Sequence, residues 1–174
     1  IPAFEDSEGK RTCPFAGACA KYCYAQKGAY IWSNVSPAFQ HRYLATKCDS
    51  FVDKMIAEIK KKNVDMLRVH DSGDYYSKKY INKWVAIAKA LPDVKFYSYT
   101  KSIPLFLDQD MPSNFDIIYS EGGTRDDLID YSKDRHCKIF DNMESLNSAG
   151  YVCAMESDVM ATKWFNRSNK VGLI

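Results

Sequence analysis

The sequence has no apolar run that approaches the roughly 18–20 residues needed to span a bilayer. Residues 1–10 are polar and acidic, so we expect no secretory signal. The 24 Lys and Arg residues are nearly balanced by 22 Asp and Glu residues, which leaves a formal net charge of +2. The chain therefore lacks the basic excess typical of nucleic-acid binders and polybasic membrane binders. We expect neither nucleic acid nor a membrane as a partner.

The sequence does contain six cysteines, and three of them fall within eleven residues as C-x5-C-x3-C. Disulfide-stapled domains are usually small, secreted and poor in core residues, which does not describe this chain. Structural zinc sites favour C-x2-C or C-x4-C knuckles, and the sequence contains no C-x2-C. A cubane iron–sulfur cluster suits the spacing better, because one loop can reach three irons while the fourth takes a distant ligand or stays open. We therefore predict a [4Fe–4S] cluster on Cys13, Cys19 and Cys23, with zinc as the alternative.

Repeats, low-complexity segments and linker-like stretches are also missing from the sequence. A chain of 174 residues with 46% hydrophobic residues is long enough to bury a core of its own. We therefore predict a single domain over residues 1–174. Within it, residues 1–35 would form the cluster-binding loop region and residues 36–174 an α/β body.

The body is predicted to alternate helices with strands. A helix should begin at Ser36-Pro37 and run to about residue 62, with Cys48 on its apolar stripe as a buried core residue. A second helix should begin after the capping residue Ser77 and end before Pro92. Strands are predicted at residues 65–69, 95–100, 115–119, 137–140, 151–154 and 171–174. Because the chain is too short for a full barrel of about 250 residues, the alternation predicts a small or partial TIM-like barrel of parallel strands with an N-terminal cysteine loop.

Polar residues cluster where the predicted strands end, which is the edge where α/β folds place their sites. His70, Asp71 and Asp74 follow the first strand and are candidates for acid–base catalysis or a second metal, with a structural turn as the alternative. Lys101 follows the second strand and is a candidate for binding an anionic substrate or offsetting the charge of the cluster, with a plain solvated lysine as the alternative.

Three stretches, TCPFAGACAKYCYAQKGAY, RVHDSGDYYSKKYINKW and FYSYTKS, together resemble the phage gene-product-88 family over roughly residues 12–153. The resemblance implies a bacteriophage-encoded protein of the infected host's cytoplasm, with an iron–sulfur cluster on a barrel-like α/β fold. One of the two late cysteines then becomes the natural fourth ligand. Cys153 is preferred because it lies late in its strand, near the carboxyl edge, whereas Cys137 opens its strand and should point to the opposite end. An open iron, a non-cysteine ligand or Cys48 completes the list of alternatives.

The cysteine loop is also similar to that of radical S-adenosylmethionine enzymes, which are partial barrels with three N-terminal cysteines. Their usual spacing is C-x3-C-x2-C, and Glu121-Gly122-Gly123 reverses their Gly-Gly-Glu order. The primary hypothesis is therefore a phage-encoded [4Fe–4S] protein in electron transfer or in the modulation of host metabolism, with a redox partner or small-molecule substrate still unidentified. The alternatives are a radical-SAM-like or other open-iron enzyme, and a zinc-stabilised interaction module, so the sequence leaves catalysis undecided.

Overall fold

The computed structural model describes residues 1–174, and its centre is one sheet of six parallel strands. The strands are β1 (Met66–Arg68), β2 (Lys95–Thr100), β3 (Phe115–Ser120), β4 (His136–Ile139), β5 (Val152–Cys153) and β6 (Lys170–Leu173). Their order is β1-β2-β3-β4-β6-β5, so β1 and β5 are the two free edges. The predicted α/β class and parallel sheet are confirmed, whereas the sheet is open and the predicted barrel is not confirmed.

Five α-helices accompany the sheet: α1 (Cys19–Tyr22), α2 (Ser36–Lys47), α3 (Phe51–Lys61), α4 (Lys78–Ala90) and α5 (Met143–Ser148). The start of α4 follows its predicted cap, because the Ser77 hydroxyl accepts a hydrogen bond from the Tyr80 amide at 3.2 Å. No helix combines the length and the apolar content that a membrane span requires.

The helix predicted over residues 36–62 is two helices, and the break lies at Cys48. The Cys48 backbone is extended, and the ammonium of Lys83 binds the carbonyl oxygens of Thr46 and Cys48, each at 2.7 Å. These contacts satisfy carbonyls that end α2, where a cation is favourable. The Cys48 side chain is exposed, so its predicted place in the core is wrong.

The two faces of the sheet are covered differently. Phe96 and Phe115 belong to the larger core cluster, which α3 and α4 complete, and we call this side the helix face. On the other side, Ile118 packs in a smaller cluster that includes Ala154 and Ala161. Residues 154–164, which we call the strap, cover this side of the sheet, and we call it the strap face. Since side chains alternate along a strand, the register decides which residues each face carries.

Candidate functional site

The cysteine loop, residues 13–23, lies across the carboxyl edge of the sheet. Next to its first cysteine, the Thr12 carbonyl accepts a hydrogen bond from the Asp74 amide, beyond the end of β1, at 3.1 Å. Farther along, Ala16 pairs as an isolated bridge with Gly123, beyond the end of β3. The loop is thus held to the edge where α/β folds place their sites.

The three loop cysteines are unpaired and half-buried. The Sγ atom of Cys13 accepts a hydrogen bond from the Phe4 amide at 3.3 Å. Burial raises the pKa of the Cys13 thiol to about 12, and the nearby Asp74 and Cys23 act in the same direction. This thiol is therefore protonated at neutral pH, and metal binding would have to release its proton.

The loop supplies sulfur ligands suited to a metal cluster, but it does not hold them together as a preformed site. No three His, Cys, Asp or Glu side chains converge to hold a metal ion. Three free thiols with an amide donor beside one sulfur do suit iron–sulfur ligation, which hydrogen bonds to sulfur tune. The donor chemistry therefore fits such a cluster, provided that the loop rearranges to bring the sulfurs together.

The two late cysteines lie on opposite faces of the sheet. Cys153 is half-buried on the edge strand β5 and pairs in register with Gly172, whose neighbour Val171 belongs to the strap face. Alternation therefore turns Cys153 toward the helix face. Its role as the fourth ligand stays a prediction.

Cys137 lies at the end of the sheet where the cysteine loop crosses, contrary to expectation. It is the second residue of β4, but β4 is shifted along β3, so Cys137 pairs with Ser120, the last residue of β3. The Glu121 amide donates to the Cys137 carbonyl at 2.9 Å. The side chain is buried on the strap face, and burial raises the pKa of the thiol to about 11. The expectation that Cys137 points to the opposite end is therefore wrong.

Asp74 joins the ends of β1 and β2. Its carboxylate accepts hydrogen bonds from the Thr100 hydroxyl at 2.6 Å, the Lys101 amide at 2.8 Å and the Tyr75 amide at 2.7 Å. Burial raises the pKa of this carboxyl, while the three donors stabilise its charged form. With its acceptor positions filled from within the fold, Asp74 holds the edge together.

His70 and Asp71 behave differently although they are adjacent. The His70 ring packs edge-on against Tyr75, and its Nε2 lies 2.9 Å from the Tyr80 hydroxyl. Removal from solvent lowers the pKa of His70 to about 3, so the ring is neutral at physiological pH. Asp71 is exposed and its carboxylate accepts a hydrogen bond from the Tyr30 hydroxyl at 3.1 Å. Of the two, Asp71 is the more exposed, and its carboxylate is the one in contact with the N-terminal region that holds the cysteine loop.

Lys101 binds the end of β3. Its ammonium donates to the Ser120 hydroxyl at 2.5 Å, the Ser120 carbonyl at 3.1 Å and the Glu121 carbonyl at 2.9 Å. No carboxylate pairs with it. Lys101 therefore places a positive charge at the carboxyl edge, with its three ammonium donors engaged by oxygen atoms of the fold, and its functional role stays a prediction.

A polar cluster on the strap face escaped the sequence reasoning. The carboxylate of Asp158 accepts hydrogen bonds from Arg68 Nη1 and the Tyr97 hydroxyl, both at 2.9 Å, and from the Tyr99 hydroxyl at 3.0 Å. Burial raises the pKa of Tyr97 to about 12, and the adjacent Asp158 acts in the same direction. The alternation of Tyr97 and Tyr99 places both on one face, but Asp158 is about sixty residues away and no local pattern marks it.

Comparison with known proteins decides the family. The model of the family described as Gene product 88 matches residues 2–172. The chain belongs to the Gene product 88 family. The Gene 88 protein of Mycobacterium phage L5 is 27% identical over 142 residues, which are 74% of this chain and 59% of the relative. The Gene 88 protein of Mycobacterium phage D29 is 29% identical over 123 residues, which are 63% of this chain and 51% of the relative.

The matched region thus spans little more than half the length of these phage relatives. No solved structure matches the chain. The predicted family membership is confirmed, and the relatives support the predicted bacteriophage origin.

In this Gene product 88 chain, a cationic side chain lies beside the residue that follows the cysteine loop. Tyr24, which directly follows Cys23, lies near the Arg68 guanidinium, and each influences the pKa of the other. The Tyr24 hydroxyl also donates to the Asp71 carbonyl at 2.6 Å. Positive charge at this edge can offset the negative charge of a thiolate-ligated group or hold an anionic ligand.

Proposed function

We propose that this Gene product 88 protein binds a [4Fe–4S] cluster through Cys13, Cys19 and Cys23. Its role would be electron transfer, or redox modulation of host metabolism, in the cytoplasm of the infected bacterium. The observation that carries the proposal is the placement of three unpaired, half-buried thiols on one eleven-residue loop across the carboxyl edge of the sheet. A bound cluster would supply one-electron chemistry, and the aromatic residues around the loop would limit its exposure to water.

The chain's own part in this proposal is to position and deprotonate the thiols. The Phe4 amide is already aimed at Cys13 Sγ, and such a donor stabilises a sulfur that carries negative charge. Small residues in the loop, among them Gly17 and Ala20, leave room for the backbone to approach the sulfurs. Since the three side chains do not yet converge, the loop must close when it binds iron.

The decisive experiment is anaerobic purification with metal and sulfide analysis. The protein should be brown, absorb at about 400 nm and contain iron and acid-labile sulfide. Alanine substitution of Cys13, Cys19 or Cys23 should abolish the absorption, whereas Cys48→Ala is the matched control, because Cys48 is exposed and lies outside the loop. Colourless protein that holds one zinc ion would overturn the proposal and support the zinc-stabilised module.

The fourth iron is assigned by two further variants. Cys153→Ala should damage the cluster if Cys153 is the ligand, and Cys137→Ala should do so if Cys137 is. Unchanged spectra in both variants and in Cys48→Ala would assign an open iron or a non-cysteine ligand, whereas a loss in Cys48→Ala alone would assign Cys48.

A second candidate is an open-iron cluster enzyme of the radical-SAM-like kind. The specific observation in its favour is the pair of cationic side chains, Arg68 and Lys101, beside the loop at the carboxyl edge. In this candidate, the open parallel sheet serves as a partial barrel, and the substrate binds on the strap face of the sheet. It requires unchanged cluster absorption in both the Cys153→Ala and the Cys137→Ala variants.

A further inference from the structure

Three hydrogen-bond donors converge on one carboxylate at the strap face. Arg68 and Tyr97 bind Oδ2 of Asp158, and Tyr99 binds Oδ1, all within 3.0 Å. Both carboxylate oxygens are therefore engaged, one of them twice. A guanidinium with two hydroxyls is a donor set suited to recognising a carboxylate.

The donors are held in place by the sheet and not by the strap. Arg68 ends β1, and Tyr97 and Tyr99 lie in the neighbouring strand β2. The Arg68 Nε donates to the His70 carbonyl at 3.1 Å, and its guanidinium lies 5.1 Å from the centre of the Tyr99 ring. These contacts would persist without Asp158, so the three donors form a preorganised receptor.

The carboxylate, by contrast, belongs to a surface segment. Asp158 begins a single 3-10 turn, Asp158–Ala161, in the strap. The side chains of Arg68 and Asp158 are 34% and 37% exposed, so solvent reaches the pair. An ion pair this accessible contributes little to stability, and a competing carboxylate in solution can displace it.

We propose that Arg68, Tyr97 and Tyr99 form a binding site for a small-molecule carboxylate, and that Asp158 occupies this site until the ligand displaces it. The site lies on the same edge as the cysteine loop, because Tyr24, which follows the loop, lies beside Arg68. The proposal does not depend on a cluster, because none of its four residues is among the proposed cluster ligands.

The test is carboxylate binding by the full chain and its Asp158→Ala variant, measured by calorimetry with succinate and acetate. Succinate should bind both proteins, and about two- to sixfold more tightly to the variant, because an internal competitor held by so exposed an ion pair still occupies the site most of the time. In the unsubstituted protein, succinate should speed amide hydrogen exchange across residues 154–164, because the strap moves away from the sheet when the ligand displaces Asp158. Adding Arg68→Gln to the Asp158→Ala variant should abolish binding.

Asp127→Asn is the matched control, because it removes an exposed carboxylate that pairs with Arg125 elsewhere on the surface. It should leave succinate affinity unchanged, and urea unfolding of each variant reports whether the fold is intact. A purely structural Asp158 would give a different pattern, in which acetate fills the vacated space in Asp158→Ala but succinate binds neither protein. That result would overturn the proposal, as would inorganic phosphate binding as tightly as succinate.

Discussion

Gly17 packs directly against the backbone that follows β3, and an added methyl group there should displace the cysteine loop. An ideal Cβ on Gly17 would lie 2.5 Å from the Gly122 carbonyl oxygen and 2.9 Å from the Gly123 carbonyl carbon. Both atoms are backbone and cannot rotate away. Ordinary contact begins at 3.4 Å, so Gly17→Ala forces the loop outward by roughly 1 Å.

The cost of that displacement follows from three terms. Overpacking of this size costs about 1–3 kcal/mol. The hydrogen bond from the Thr124 amide to the Phe15 carbonyl, at 3.0 Å, would add about 1 kcal/mol if it broke. Alanine also restricts the unfolded chain, which offsets about 0.4–1 kcal/mol. We expect Gly17→Ala to lower the free energy of unfolding by about 1–3 kcal/mol.

Urea unfolding measures this loss, and the reaction rate of Cys13 with a thiol reagent measures the displacement of the loop. Cys13 should react faster in Gly17→Ala, because its burial depends on the loop lying against the edge. Ala18→Val is the matched control, since it enlarges an exposed neighbouring side chain, and valine caps the helix Cys19–Tyr22 as poorly as alanine, so it should change neither quantity. Unchanged stability and unchanged Cys13 reactivity in Gly17→Ala would refute the contact between the loop and the sheet.

Three further predictions test the body of the fold. Because the pKa of His70 is lowered from 6.5 to about 3, the unfolded state takes up its proton first, and stability should fall by up to about 1.4 kcal/mol per pH unit as pH drops from 6.5 to 3. His70→Asn, which suits the positive φ of 71°, should flatten that slope in urea unfolding; an unchanged slope would exclude His70 as its source. In native protein, a thiol reagent should modify exposed Cys48 while Cys137, which is 2% exposed, reacts only on unfolding, as mass spectrometry of the labelled protein would show. Arg135→Ala should cost about 3–5 kcal/mol in urea unfolding, since it removes the guanidinium that pairs with buried Asp116 and that donates to three backbone carbonyls, and a loss below about 1 kcal/mol would contradict that pairing.

Local signals in the sequence predicted the middle of the fold well. The helix after Ser77 and the strands at residues 95–100 and 115–119 match α4, β2 and β3 closely, because each carries its own cap, stop or apolar pattern. The long helix at residues 36–62 failed for a non-local reason. Its apolar stripe continues through Cys48, but Lys83 of α4 binds the carbonyls that end α2. Such a contact between helices has no signature in either segment.

The candidate site divides in the same way between local and long-range information. The three loop cysteines and the residues after β1 are recognisable because they are close together in the sequence. The Asp158 cluster is not, because its members come from β1, β2 and the strap and meet only when the chain folds. The register between β3 and β4 is equally non-local, and it alone places Cys137 level with Ser120.

That register also bears on what each late cysteine would need in order to complete a cluster. Cys137 faces the strap side, and the charge of Lys101, which lies between it and the loop, acts on its thiol. Cys153 faces the other side, on the edge strand farthest from β1. The strap cluster buries Cys137, so ligation by Cys137 would require the strap to move away from the sheet. If Cys137 is the fourth ligand, Asp158→Ala should therefore speed the incorporation of iron, whereas ligation by Cys153 leaves that rate unchanged.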